Sequence, residues 1–299
     1  MIKVLLGLAF VSGSSWIQAA VLDPETLRAW DEYIAGADQK IKLRLNGQLP
    51  FLWTDESAER KRRVLAGETV IAPVIPNGSK IAAQGLIHDW MGAMFIPNTT
   101  LQQVLATLHA YDRYKEYFRP FVADSRVCST GGSKQEFSMI FQYRVVFGNL
   151  FIESRYSSKD FVIDEHRRYT IASSVRVQEI DGYGTAQEQR LPPGRGRGFV
   201  WALHSISRYE ERDGGVYVEL EALALSRSIP GALRWFACPL VKRASISGVE
   251  TALQKMRSAV EARPAVLQTK AVTLTPAVTS RCYCTAANQP GVTPSGSSK

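Results

Sequence analysis

Between Gly214 and Val260 the pattern of apolar and polar positions switches from extended to helical. Gly214-Gly215 leads into Val216-Tyr217-Val218-Glu219-Leu220-Glu221-Ala222-Leu223-Ala224-Leu225-Ser226, which reads as a long strand. Arg227-Ser228-Ile229-Pro230 breaks it, because proline cannot donate to a ladder and restricts the residue before it. An amphipathic helix is expected from near Pro230, interrupted at Pro239. Ser247 with Glu250 three residues on is a capping box, so the helix restarts there. Val249, Leu253, Met256 and Val260 then repeat at spacings of 4, 3 and 4, and Pro264 ends the pattern.

The same reading runs back along the chain. Asp23-Pro24-Glu25 is a helix start, and Leu27, Trp30, Ile34, Ala37 and Ile41 share one face. A second helix is expected from Asp55 to Ala66, with Arg60-Lys61-Arg62-Arg63 toward its C-terminal end, a solvated basic face suited to the macrodipole. Thr69–Ile75 and Lys80–Ile96 are strand-like, with Asn77-Gly78 as a turn. Asn98-Thr99-Thr100 caps a helix carrying Leu101, Val104, Leu105 and Leu108, and a short helix carries Tyr111, Tyr114 and Phe118. Strand-like segments follow. Glu136–Phe147 alternates, with Phe137, Met139, Phe141, Tyr143, Val145 and Phe147 on one face, and Gly148-Asn149 turns into the next strand.

Composition is that of an ordinary globular chain: 45% hydrophobic and 21% charged over 299 residues. The net charge of +8 sits largely at the ends. Residues 263–299 hold Arg263, Lys270, Arg281 and Lys299 and no acid, and Lys3 lies in the leader. The central part therefore lacks a nucleic-acid-binding balance. Met1–Ala20 reads as a secretory leader, with Lys3, the apolar run Val4–Val11 and small residues at Ala19-Ala20, so the protein is expected to be exported. Residues 21–66 form an N-terminal helical segment, 67–262 the main domain, and 263–299 a flexible tail rich in Thr, Ser, Ala, Pro and Gly. Cys128 and Cys238 read as buried thiols. Cys282-Tyr283-Cys284 lacks redox or zinc spacing, and the sequence does not choose among disulfide pairings.

This order of elements resembles the START-like, birch-pollen-allergen-like (SRPBCC) superfamily. The residues that carry the resemblance are Ile87–Pro97 running into Leu101–Leu108, then Tyr111-Asp112-Arg113-Tyr114, Tyr117-Phe118-Arg119-Pro120, and Gly215–Pro230 with the final helix. It spans roughly residues 80–263. The resemblance implies an α+β helix-grip fold: a curved antiparallel sheet wrapped around a long C-terminal helix, with two short helices after the first strand. It also implies an apolar cavity for a lipid-like molecule. Some relatives are cyclases or hydrolases, but the superfamily shares no catalytic set that could be carried over.

The chemistry in the sequence is sparse. His88, His109, His166 and His204 are scattered, without metal-ligand spacing, so no metal or cofactor is expected. No Gly-x-Ser-x-Gly turn occurs. His204, in the apolar run Phe199–Ile206, is the one candidate for acid–base work or orientation. Glu219 and Glu221 share a face with Tyr217; if that face is buried they need a partner such as Arg208 or Arg144. Phe141, Tyr143, Tyr156, Trp201, His204 and Trp235 are the candidates for the cavity lining, with Ser173, Ser205 and Ala224 leaving room beside them. Arg195-Gly196-Arg197-Gly198 is a turn at the expected cavity mouth. The expected partner is a hydrophobic small molecule, with transient contact at a membrane surface and no nucleic acid. A cyclase- or hydrolase-type enzyme and an interaction domain without ligand are the alternatives.

Overall fold

The computed structural model describes residues 20–131, 134–145, 148–231 and 234–262. Outside the described residues lie residues 1–19, which hold most of the expected leader, residues 263–299 with Cys282 and Cys284, and Phe147.

Helix α1 (Pro24–Leu45) starts as its sequence dictates: the Asp23 carboxylate accepts from the N–H groups of Glu25 and Thr26. A 3-10 turn (Trp53–Glu56) and α2 (Ala58–Leu65) follow. The Lys80–Ile96 region is a strand pair, β3 (Ser79–Ala82) and β4 (Gly85–Pro97), preceded by β2 (Val70–Pro73). A capping box of Thr100 and Gln103 opens α3 (Leu101–Leu108), and α4 is short (Tyr114–Tyr117). The strands β5 (Val122–Gly131), β6 (Lys134–Val145), β7 (Gly148–Val162) and β8 (Arg167–Asp181) form a meander. After them come β11 (Ala202–Arg212), β12 (Gly215–Arg227) and α5 (Arg234–Glu261). Two-residue pieces complete the set: β1 (Ala20–Val21), β9 (Gln189–Arg190) and β10 (Arg195–Gly196).

Among the described residues ten strands make one sheet, ordered β2-β4-β12-β11-β8-β7-β6-β5, with β3 beside β4 and β9 beside β8. The last long strand thus returns next to the first, and α5 crosses one face. This is an α+β helix-grip arrangement.

Alternation along each strand divides the side chains between two faces. On one face Trp90, Met94, Val216 and Val218 pack with Val104 and Leu108 of α3 and with Val249, Leu253, Met256 and Val260 of α5. On the other, Ile87, Ile206, Leu223 and Leu225 pack against Trp30, Ala37 and Ile41 of α1. Ala93, Phe95 and Tyr217 meet Leu52 and Val64 beside them. The N-terminal helices are therefore a second helical layer on the outer face of the sheet, sharing its cores.

Two expectations for α5 need correction. The helix runs unbroken through Pro239. Proline removes one backbone bond and crowds the carbonyl four residues earlier, and that loss falls in the solvent-exposed first part of a 28-residue helix. Cys238, in the same part, is exposed rather than buried.

Candidate functional site

The register builds the α5-facing floor row by row. In one row Ser158 of β7 lies beside Ala172 of β8, then Ser205 of β11, Ala222 of β12 and Trp90 of β4. In the next, Phe137, Tyr156 and Ser174 lead across to Leu203, Ala224 and His88. Small side chains hold the middle of this floor, and aromatic ones its β6 side. Leu203, Ser205, Leu220, Ala222 and Ala224 are half-buried, although each points to the helix side of the sheet. Their neighbours on the opposite face, Ile206, Leu223 and Leu225, are almost fully sealed by α1.

The helix accounts for this difference. Its inward stripe is Ala237, Val241, Ser245, Val249, Leu253, Met256 and Val260. The stripe is buried from Val249 onward and half-buried before it. At Gly92 the contact is so close that an added Cβ would stand 2.6 Å from side-chain atoms of Val249 and Leu253. The second half of α5 is therefore seated on the sheet, while the stripe of its first half and the small-residue floor are both half-buried. This α5-facing side of the sheet is termed the cup.

The six candidate residues fall in three places. Phe141, Tyr143 and Tyr156 face the cup. Phe121 stacks its edge on Phe141 and Tyr143 at centroid distances of 5.3 and 5.6 Å, and Phe137 lies parallel to Tyr156 at 5.0 Å. They belong to or pack against the core on that side, and burial raises the phenol pKa values of Tyr143 and Tyr156. His204 and Trp201 belong to the other face, under α1. There His204 Nδ1 is 2.8 Å from Ser173 Oγ and Nε2 is 3.9 Å from Asp38 of α1. Burial lowers its pKa and Asp38 opposes that shift. Trp235 lies on α5 and is 81% exposed. The run Phe199–Ile206 carries apolar residues on both faces of the strand, so its pattern does not tell cup from outer face.

Sequence reasoning passed over His88. It shares the cup face with Trp90, Ala224 and Ser226. Its Nε2 lies 2.9 Å from Ser226 Oγ, and burial pushes its pKa down to about 4. The signal available was its place two residues before Trp90 on one strand.

The outer face holds the charged groups. Glu219 is fully buried and accepts from the N–H of Trp53 and Thr54, the Thr54 hydroxyl and Arg208 Nε. Arg208 also lies 3.5 Å from Glu221. Of the two partners considered for these acids, Arg208 is the one in place. Asp89 accepts from Tyr33 of α1 at 2.7 Å. These bonds fasten the N-terminal segment to the sheet. Arg197 and Gly198 donate backbone N–H groups to the buried Glu179, and Arg195-Gly196 pairs with Ala20-Val21, which anchors the Arg-Gly turn.

Among the described residues no cluster of three His, Cys, Asp or Glu side chains could hold a metal, and no helix is long and apolar enough to cross a membrane. Two open surface clefts lie off the floor. One, of about 340 Å³, runs between α1 and β3, and the other, of about 500 Å³, lies beside α3.

No protein-family model matches the sequence, and no curated protein matches it. Solved structures do. A STAR-related lipid transfer protein fragment from Xanthomonas axonopodis is similar at 14% identity and TM-score 0.41, covering 64% of this chain and 98% of that one. Human STARD10 gives 9% and 0.40, covering 69% and 79%. The Zhui aromatase/cyclase from Streptomyces gives 14% and 0.38, covering 58% and 94%. At such identities and TM-scores these likenesses carry no argument about activity.

Proposed function

We propose that this protein binds an apolar, lipid-like small molecule in the cup between the sheet floor and the first half of α5. The observation that carries this reading is the half-buried floor of Leu203, Leu220, Ala222 and Ala224 on the face of the sheet that α5 crosses, together with a helix whose stripe is fully buried only from Val249 onward. Burying about 200 Å² of ligand against such a floor contributes ~5 kcal/mol, from which the cost of association is subtracted.

Transient contact with a membrane surface belongs to the same reading. Trp235 and Leu240 are exposed on α5 together with Arg234, Lys242 and Arg243. No acidic residue occurs from Arg234 to Val249. Such a surface suits an anionic interface. Export is proposed on the leader-like Met1–Ala20.

Solvent extraction of the purified protein followed by mass spectrometry tests the central reading. A stoichiometric copurified lipid, displaced by a fluorescent fatty probe, is the expected result. A protein that yields no lipid and takes up no probe would count against it.

A further inference from the structure

The cup floor carries one imidazole. His88 lies on β4 opposite Ala224, on the same face as Trp90, and is buried. The floor around it is uncharged: Trp90, Ser174, Leu203, Ser205, Ala222 and Ala224. The basic residues of α5, Arg234, Lys242 and Arg243, are exposed at the rim. An anionic head brought down to the floor would lose its water without gaining a cation, which is costly. An uncharged polar group needs one hydrogen-bond partner.

The bonding of His88 says which kind. Its Nε2 meets Ser226 Oγ at 2.9 Å. The Ser226 hydroxyl donates to the Arg227 carbonyl at 3.3 Å, so its oxygen is left to accept. In that arrangement Nε2 carries the hydrogen and Nδ1 presents a lone pair. Nδ1 makes no hydrogen bond to a described residue. Burial keeps the ring neutral at physiological pH.

Building on the binder reading, we propose that His88 Nδ1 accepts a hydrogen bond from the ligand, so that the cup selects an uncharged apolar molecule bearing a hydroxyl group over a carboxylate- or phosphate-bearing lipid. Ser226 is the positioning residue that fixes the tautomer.

The test compares three probes of one chain length: 1-dodecanol, its methyl ether and dodecanoate. Binding is read by displacement of a fluorescent apolar probe from the full-length protein. The alcohol is expected to bind roughly tenfold tighter than the ether, the value of one net hydrogen bond, and tighter than dodecanoate at pH 7.5. In His88→Phe, which keeps an apolar ring in place, the ether should still bind and the alcohol should lose its advantage. In Ser226→Ala, which frees Nε2, the alcohol-to-ether ratio should shrink. Equal or tighter binding of dodecanoate, or an alcohol-to-ether ratio unchanged in His88→Phe, overturns this inference and leaves the binder reading standing. Failure of all three probes to bind the parent protein overturns both.

Discussion

Asp89 and Glu221 place two carboxyl groups under α1, on adjacent strands, and Asp89 Oδ1 and Glu221 Oε1 are both buried without a hydrogen-bond partner. Burial, and after it Glu221, push the Asp89 carboxyl up to about 7, against the Tyr33 hydrogen bond and Lys40. The folded chain thus keeps a proton that the unfolded chain, titrating from 3.8, has given up. Stability from this group is complete below that unfolded value and is lost as pH rises through about 7. His88 slopes the other way: its contribution is present above 6.5 and lost as pH falls through about 4. Asp89→Asn keeps an acceptor for Tyr33 and removes the titration. It should be more stable than the parent at pH 8 and no more stable near pH 4, by urea denaturation. An equal difference at both pH values would refute the assignment.

At the scale of elements, the seat of α5 is set by the missing side chain of Gly92, which lets Val249 and Leu253 reach the sheet. Gly92→Val should cost about 1–3 kcal/mol through overpacking. Val249→Ala in the same chain should recover part of that loss, measured as a non-additive term in a double-mutant cycle. Some of this architecture was legible in the sequence. The alternation of Phe137, Phe141 and Tyr143 placed them together because the polar residues between them marked the other face. In β12 the polar marks, Glu219 and Glu221, lie on the face of Leu223 and Leu225, which the N-terminal segment buries, so polarity there marks no solvent side. His204 was misassigned to the cup for the same reason. The continuity of α5 was illegible because proline normally breaks a helix interior, and Pro239 lies past the first turn of α5. The candidate site lay hidden in size rather than polarity: Ala222, Ala224 and Ser226 are a run of small side chains at every second position.

For the whole molecule, the sheet is a partition between two unlike compartments. The outer one is charged in its interior and covered by residues 21–66; the inner one is mostly apolar, with the His109–Asp160 pair beside α3. Removing everything before Gly67 would expose Ile87, Ile206, Leu223 and Leu225 and strip Glu219 of three donors. The truncated chain should aggregate or bind a hydrophobic dye strongly, and in the full-length protein limited proteolysis should spare α1. A shortened chain that stays monomeric and cooperative would show that the outer layer is dispensable.

The bonds from Glu219 to Trp53 and Thr54 span 166 and 165 residues. A ribosome delivers α1 and the 3-10 turn early, long before β12 exists to receive them. Closing so long a loop is slow relative to local pairing. Helix α1 is therefore among the last elements to be seated. Until then its apolar face and that of the unfinished sheet are exposed together, which makes the nascent chain a natural client for a chaperone that shields hydrophobic surface.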